Sequence, residues 1–200
     1  MTIEERMEKV EMELARVMDR REDVVKAKQF ILVDENGKTR GGLCVFKDVP
    51  SLVLYSENGK SHAGLGMTKD GPVLGLYDEN GKARVILGVD KDGPSLVLYD
   101  ENEKFRASLG VTKGGPGLVL ADENEKLRAG LSVGKDGPGM RLLDENSKSR
   151  VTLAVLEDGT SLGLADENGE PRVKLGVDKG GPKLTLLDEN DKVVWQAPPP

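Results

Sequence analysis

The chain has 200 residues, of which 37% are apolar, 32% charged and only 4% aromatic, and its formal net charge is −6. The acidic balance argues against nucleic acid and anionic membrane surfaces as partners, and no run of about 20 apolar residues exists to form a membrane span. Scarce large side chains exclude an ordinary bulky core, the strict schedule of Leu and Val excludes a disordered composition, and the single cysteine, Cys44, excludes an intrachain disulfide.

In chain order, the first predicted element is a helix over residues 1–27. Ile3, Met7, Val10, Leu14, Val17, Arg21 and Val24 follow one another at alternating steps of four and three, which is a heptad seam. With Met7, Leu14 and Arg21 at a, the d positions hold Ile3, Val10, Val17 and Val24. β-Branched residues at d with Leu at a favour trimers or tetramers over dimers. Glu and Arg fill the flanks, as a solvated helix needs. The segment therefore reads as an oligomerising coiled coil, the plainer alternative being one helix docked on the region that follows. The same charged segment lacks the apolar stretch of a signal peptide. Cytoplasmic placement is the default expectation, with a surface or phage-particle location as the alternative.

From residue 28 to 197 the chain is a tandem repeat. The phrase D-E-N-x-K begins at Asp34, appears in altered form at Ser56, and returns at Asp78, Asp100, Asp122, Asp144, Asp166 (there with Glu170 in the Lys slot) and Asp188, always 22 residues apart. Each of the eight units predicts two strands and two turns. In the first strand apolar residues alternate, as in Val85, Leu87 and Val89, with Arg84, Ile86 and Gly88 between them. The second strand carries Leu96 and Leu98. Gly or Pro interrupts the chain too often for a helix. K-D-G-P, as in Lys91–Pro94, supplies a Gly for positive φ and a Pro where a missing N–H does least harm. D-E-N-G suits a type I turn with a bulge. Its fourth slot varies (Glu103, Glu125, Ser147, Asp191) while its Asn slot never does, so Asn is expected to hold the left-handed position.

Units of this kind cannot bury an apolar face alone, and stacking joins their faces. A single 16-stranded barrel is too wide for Leu and Val to fill. A four-stranded propeller blade would need alternate units to differ, and they do not. The expected fold is an all-β tandem-repeat shaft behind a coiled coil: a trimeric β-prism or triple β-helix-like assembly, or else a monomeric β-solenoid. Stacked across a fibre axis, eight units would span about 75 Å. Cys44, Gly66, Gly88, Gly110, Ser132, Ala154 and Gly176 form one small-residue column opposite the Leu/Val face. Such a column marks either close approach of another backbone or bending of the sheet. Phe30 and Trp195 add bulk at the ends, as capping units do, and a tail at 198–200 (Pro198, Pro199, Pro200) bars a further strand.

The phrases FILVDENGK, LYDENGKARVILGV and VVWQAP resemble a type of bacterial tandem-repeat protein with many D-E-N-G-K-x-R-A-x-L-G-V units behind an N-terminal coiled coil. The resemblance spans nearly the whole chain and implies the shaft architecture but no activity. Y-D-E-N-G-K is also similar to choline-binding cell-wall repeats, whose sites are cages of Trp and Tyr. Here Tyr55, Tyr77 and Tyr99 occur singly and Trp195 alone.

A turn carboxylate repeated eight times is a poor catalyst. The D-E pairs lack the D-x-D-x-D-G spacing of strong calcium loops, so solvated turns paired with neighbouring Lys and Arg are expected instead. Arg40, Arg84, Arg106, Arg128, Arg150 and Arg172 form the cationic column, where His62 is an exposed substitute. Cys44 has no recurring His or Asp beside it. No catalytic, cofactor-binding or metal-binding residues are assigned, and no cofactor is expected. The chain reads as a non-enzymatic structural homo-oligomer, a trimer serving as fibre, spacer or scaffold. The alternative is a module that docks a repetitive ligand such as a glycan or cell wall.

Overall fold

A computed structural model describes residues 2–19 and 26–198. Helix α1 spans Ile3–Asp19. It opens with a capping box that the T-x-x-E spelling of residues 2–5 encodes: the Thr2 N–H donates to Glu5 Oε2 (2.7 Å) and the Glu5 N–H to Thr2 Oγ1 (3.3 Å). Among the described residues α1 touches no strand, and Ile3, Met7, Val10 and Leu14 are each more than half exposed. The seam's continuation through Arg21 and Val24 lies outside the described residues, as does the Val17 side chain.

Sixteen strands follow: β1 (Gln29–Val33), β2 (Thr39–Phe46), β3 (Val49–Tyr55), β4 (Ser61–Thr68), β5 (Gly71–Tyr77), β6 (Ala83–Asp90), β7 (Gly93–Tyr99), β8 (Phe105–Thr112), β9 (Gly115–Ala121), β10 (Leu127–Gly134), β11 (Gly137–Leu143), β12 (Ser149–Leu156), β13 (Gly159–Ala165), β14 (Pro171–Asp178), β15 (Gly181–Leu187) and β16 (Val193–Ala197). They form one open antiparallel sheet in sequence order, so every unit adds two strands to a single meander. This is the repeated strand-turn arrangement that the 22-residue period predicts. β1 and β16 are its edges.

Register sorts the side chains onto two faces. Across β6 and β7, Val85, Leu87 and Val89 stand opposite Leu98, Leu96 and Pro94. Across β5 and β6, Leu74 and Leu76 stand opposite Leu87 and Val85. The same rows run the length of the sheet, giving one continuous apolar face whose cross-strand pairs contribute about 0.2–1 kcal/mol each. Phe30 opposite Leu43 and Trp195 opposite Leu186 end it on the two edge strands. The other face carries the small-residue column, with Gly88 between Val73 and Ser95. Added Cβ atoms at Gly88, Gly110 and Gly176 would meet carbonyls of the neighbouring strand at 3.5, 3.3 and 3.1 Å, an ordinary contact at the first and tight ones at the other two.

Among the described residues nothing covers the apolar face. Among the described residues the only buried hydrophobic side chain is Ala121, and none is fully buried. Leu43, Leu65, Leu109 and Leu131 are about half exposed. A sheet whose backbone is paired yet whose side chains meet no second layer lacks the main stabilising term of a folded domain.

The two kinds of hairpin solve chain reversal differently. In the K-D-G turns the two central residues keep ordinary φ and the following Gly becomes left-handed, as at Gly71 (143°) and Gly93 (128°). Gly therefore opens each second strand and Pro follows it. The β2–β3 hairpin has Val49 in the Gly slot, which a β-branched residue cannot serve in that conformation. There Lys47 and Asp48 move to φ 48° and 66° instead, the double left-handed geometry of a type I′ turn.

Candidate functional site

The D-E-N turns are where polar side chains converge. At the β5–β6 turn the Gly81 N–H donates to the Asp78 carbonyl and the Asp78 N–H to the Lys82 carbonyl, both at 2.9 Å. The Asp78 carboxylate then accepts the Asn80 N–H (2.8 Å) and the Lys82 N–H (3.0 Å) through one oxygen. Its other oxygen faces Arg84 at 4.0 Å. Arg84 is the extra residue of a bulge, because Leu76 pairs with Val85 but Tyr77 with Ala83. The bulge aims the arginine back at its own turn. The pattern repeats, closest at Arg40–Asp34 (2.8 Å) and Arg172–Asp166 (2.6 Å).

Asn is not the left-handed residue, contrary to the expectation from its invariance. Positive φ falls on the fourth slot in every unit, from Gly37 (75°) to Asp191 (60°), including Glu103, Glu125 and Ser147 at 60–63°. The organiser is the Asp at the first slot. Donation by the backbone N–H four residues on is the main influence holding the Asp34, Asp78 and Asp144 carboxyls below the usual carboxylate range. At Asp122 the Asn124 N–H leads. At Asp100 and Asp166 partial desolvation is the largest single influence and works upward, but the backbone donors together with Arg106 and Arg172 outweigh it.

Adjacent turns are tied to one another. Lys82 Nζ donates to the Glu101 carbonyl (2.7 Å), Lys104 to Glu123 (2.9 Å) and Lys126 to Glu145 (3.0 Å); Lys38 reaches Glu57 in the same way. Arg106 and Arg150 donate to the carbonyls of Ala121 (3.2 Å) and Ala165 (3.0 Å) in the next unit. These lysines thus tie turns through carbonyl oxygens rather than through the expected carboxylate pairs. Sequence inspection also missed the backward tie. Glu125 Oε1 accepts the Phe105 N–H (3.1 Å) and Glu103 Oε1 the Ala83 N–H (3.4 Å). Glu in a left-handed slot was the available signal, since such a residue needs a compensating contact.

His62 occupies the bulge position of the β3–β4 hairpin. That unit also has Ser56 for Asp, so both members of the ion pair change together. The Ser56 hydroxyl accepts the Lys60 N–H at 3.2 Å and sustains the turn without a charge. Cys44 is half-buried opposite Ser51. Tyr55, Tyr77 and Tyr99 end alternate strands on the small-residue face, about 10 Å apart along the sheet. Trp195 stands opposite Leu186 on the apolar face, so these rings build no aromatic cage. Among the described residues no three His, Cys, Asp or Glu side chains converge to hold a metal ion, and no helix is long and apolar enough to cross a membrane.

A scan of protein-family models matches none to this chain, and a search of curated proteins finds no similar sequence.

Proposed function

We infer that the protein is a structural, non-enzymatic component that works as an elongated homo-oligomer, with the apolar faces of its chains forming a shared core. One observation carries this reading: a Leu/Val face runs across all sixteen strands and no part of the described chain covers it. Completing the burial of a half-exposed Leu or Val contributes about 1 kcal/mol. Accumulated along sixteen strands, this exceeds the cost of association, about 4–15 kcal/mol. The exposed seam of Ile3, Met7, Val10 and Leu14 on a helix that rests on no strand supports a coiled coil at one end. Its β-branched d positions with Leu at a favour three or four chains over two, and we take three. The ties between turns suit a spacer, fibre or scaffold, because each unit stiffens its neighbour.

Light scattering coupled to size exclusion tests the reading. Three chains of 21.6 kDa would give about 65 kDa. A monodisperse particle of one chain mass ends it. Leu109→Lys, at the middle of the apolar face, should dissociate the assembly, whereas Lys91→Gln at a hairpin tip should leave the mass unchanged.

A further inference from the structure

The small-residue face changes character along the sheet. Its central row passes through Gly42, Val53 and Gly64 and on to Gly130 without a charged residue. It then meets Arg141 on β11, opposite Thr152, and Lys174 on β14, opposite Gly163 and Thr185. Lys183 joins from the adjoining row, opposite Gly176. All the charges in these two rows are therefore positive and fall in the last units of a chain whose net charge is −6.

A trough of about 600 Å³ lies over the same strands. Its floor is β13 and β14. The flanking strands contribute Thr152 and Leu156 on one side and Lys183 and Thr185 on the other, all from the small-residue face, so the trough opens on that face. Ser161, Gly163 and Gly176 keep the floor low.

The other charged groups at the trough already have partners. Arg150 is engaged with the Ala165 carbonyl and Asp144, Asp178 with the Gly180 N–H (2.7 Å), and Asp158 with Lys179 (3.8 Å). Lys174 and Lys183 line the trough and Arg141 stands just outside it, on β11 opposite Thr152; all three are exposed and their side chains make no hydrogen bond or ion pair among the described residues. Two lysines and an arginine in no ion pair, beside the hydroxyls of Thr152, Ser161 and Thr185, match a ligand that is both anionic and rich in hydroxyl groups, with the Asp158 and Asp178 carboxylates at one end of the trough. The trough has the volume of a small-ligand site, and no aromatic ring lines it to stack a nucleobase.

We propose that the small-residue face over β11–β15 is a binding site for an acidic oligosaccharide, with Lys174, Lys183 and Arg141 holding its carboxylates. The site is independent of how many chains assemble, provided that the covered face is the apolar one.

The test is fluorescence anisotropy of a labelled oligogalacturonate titrated with the full chain, with mass measured by light scattering on the same sample. The expected result is saturable binding that weakens about tenfold or more in Lys174→Gln/Lys183→Gln, weakens further with Arg141→Gln, and falls as salt is raised. Lys69→Gln/Lys91→Gln at the hairpin tips should bind as the parent does. Circular dichroism of each variant establishes that the sheet is retained. No binding, undiminished binding by the double variant, equal binding of an uncharged dextran oligomer, or equal binding of a single-stranded oligonucleotide of the same charge overturns the proposal. Failure of binding with the assembly intact refutes this site alone, whereas a single-chain mass with binding intact refutes only the assembly.

Discussion

The two long edges of the sheet reverse the chain eight times and seven times, and they depend on different chemistry. At the K-D-G edge, the left-handed residue faces the backbone of the next hairpin. A Cβ on Gly93 would lie 1.9 Å from the Val111 carbonyl oxygen, and one on Gly115 1.9 Å from that of Val133. At the D-E-N edge the left-handed residue meets no backbone: nothing lies within 4 Å of a Cβ at Gly37 or Gly59, and at Gly81 and Gly169 only a flexible lysine stem does, at 3.8 and 3.5 Å. One edge therefore excludes side chains by contact. The other only asks for a residue that tolerates the backbone conformation, so Glu, Ser and Asp appear there. Positive φ alone does not make a glycine irreplaceable, but positive φ against a neighbouring carbonyl does.

The sharpest way to break this comparison is Gly93→Ala. It combines left-handed strain with a backbone clash and should cost about 3 kcal/mol or more, read as a large loss of denaturation midpoint. Gly181→Ala is the internal control. Its φ is 101°, but among the described residues nothing lies within 4 Å of the added Cβ, because the neighbouring β16 ends at Ala197, opposite Leu184, before the level of Gly181. It should cost only the conformational term, about 1–2 kcal/mol. Equal losses at the two positions would refute the contact explanation.

At the D-E-N edge the largest effect belongs to the first slot. Asp144→Ala removes the acceptor of two backbone N–H groups, at 2.9 and 3.0 Å, and the partner of Arg150. Thermal melts should show a clear drop. Asp144→Asn, which keeps an acceptor oxygen, should retain more of the midpoint than Ala does, and Asn146→Ala should matter less than either.

Acid should weaken this edge before the other. Asp34, Asp78, Asp100, Asp122, Asp144 and Asp166 all have folded pKa values below the ordinary one. Their contribution is complete above the unfolded value of about 3.9 and is lost as pH falls through the folded values. Denaturation midpoints should hold steady from neutral pH down to about 5 and decline below 4 in the parent. The decline should be shallower in a variant with these aspartates replaced by Ser, as Ser56 already is. The smallest effect is expected at the fourth slot. Glu103→Gly trades a relaxed φ for the lost bond to the Ala83 N–H and should change stability by less than about 0.5 kcal/mol. Glu103→Val, which keeps neither advantage, should destabilise more.

Much of this was readable from the chain itself. The 22-residue period gave the strand count, the alternation of Val85, Leu87 and Val89 gave the face they share, and K-D-G-P gave the glycine that turns left-handed. The turn organiser was misread. Invariance drew attention to Asn, while the structural work falls to an Asp that is itself replaced once, by Ser56, because a hydroxyl can accept the same N–H. The ties from Lys82, Arg106 and Glu125 into neighbouring units were invisible for another reason: they join residues 15 to 20 positions apart, and only the bulge and the stacking of hairpins bring them within reach.

The sequence alone determined the local rules, namely a period-2 pattern that must form strands and punctuation that must turn them, because these depend on neighbours along the chain. Tertiary structure decided what those strands meet: one open sheet, a bare apolar face and two unpartnered lysines lining a trough, with Arg141 just beyond it. That outcome depends on register across strands, and register emerges only when bulges and turns have set every side chain's position relative to the next unit.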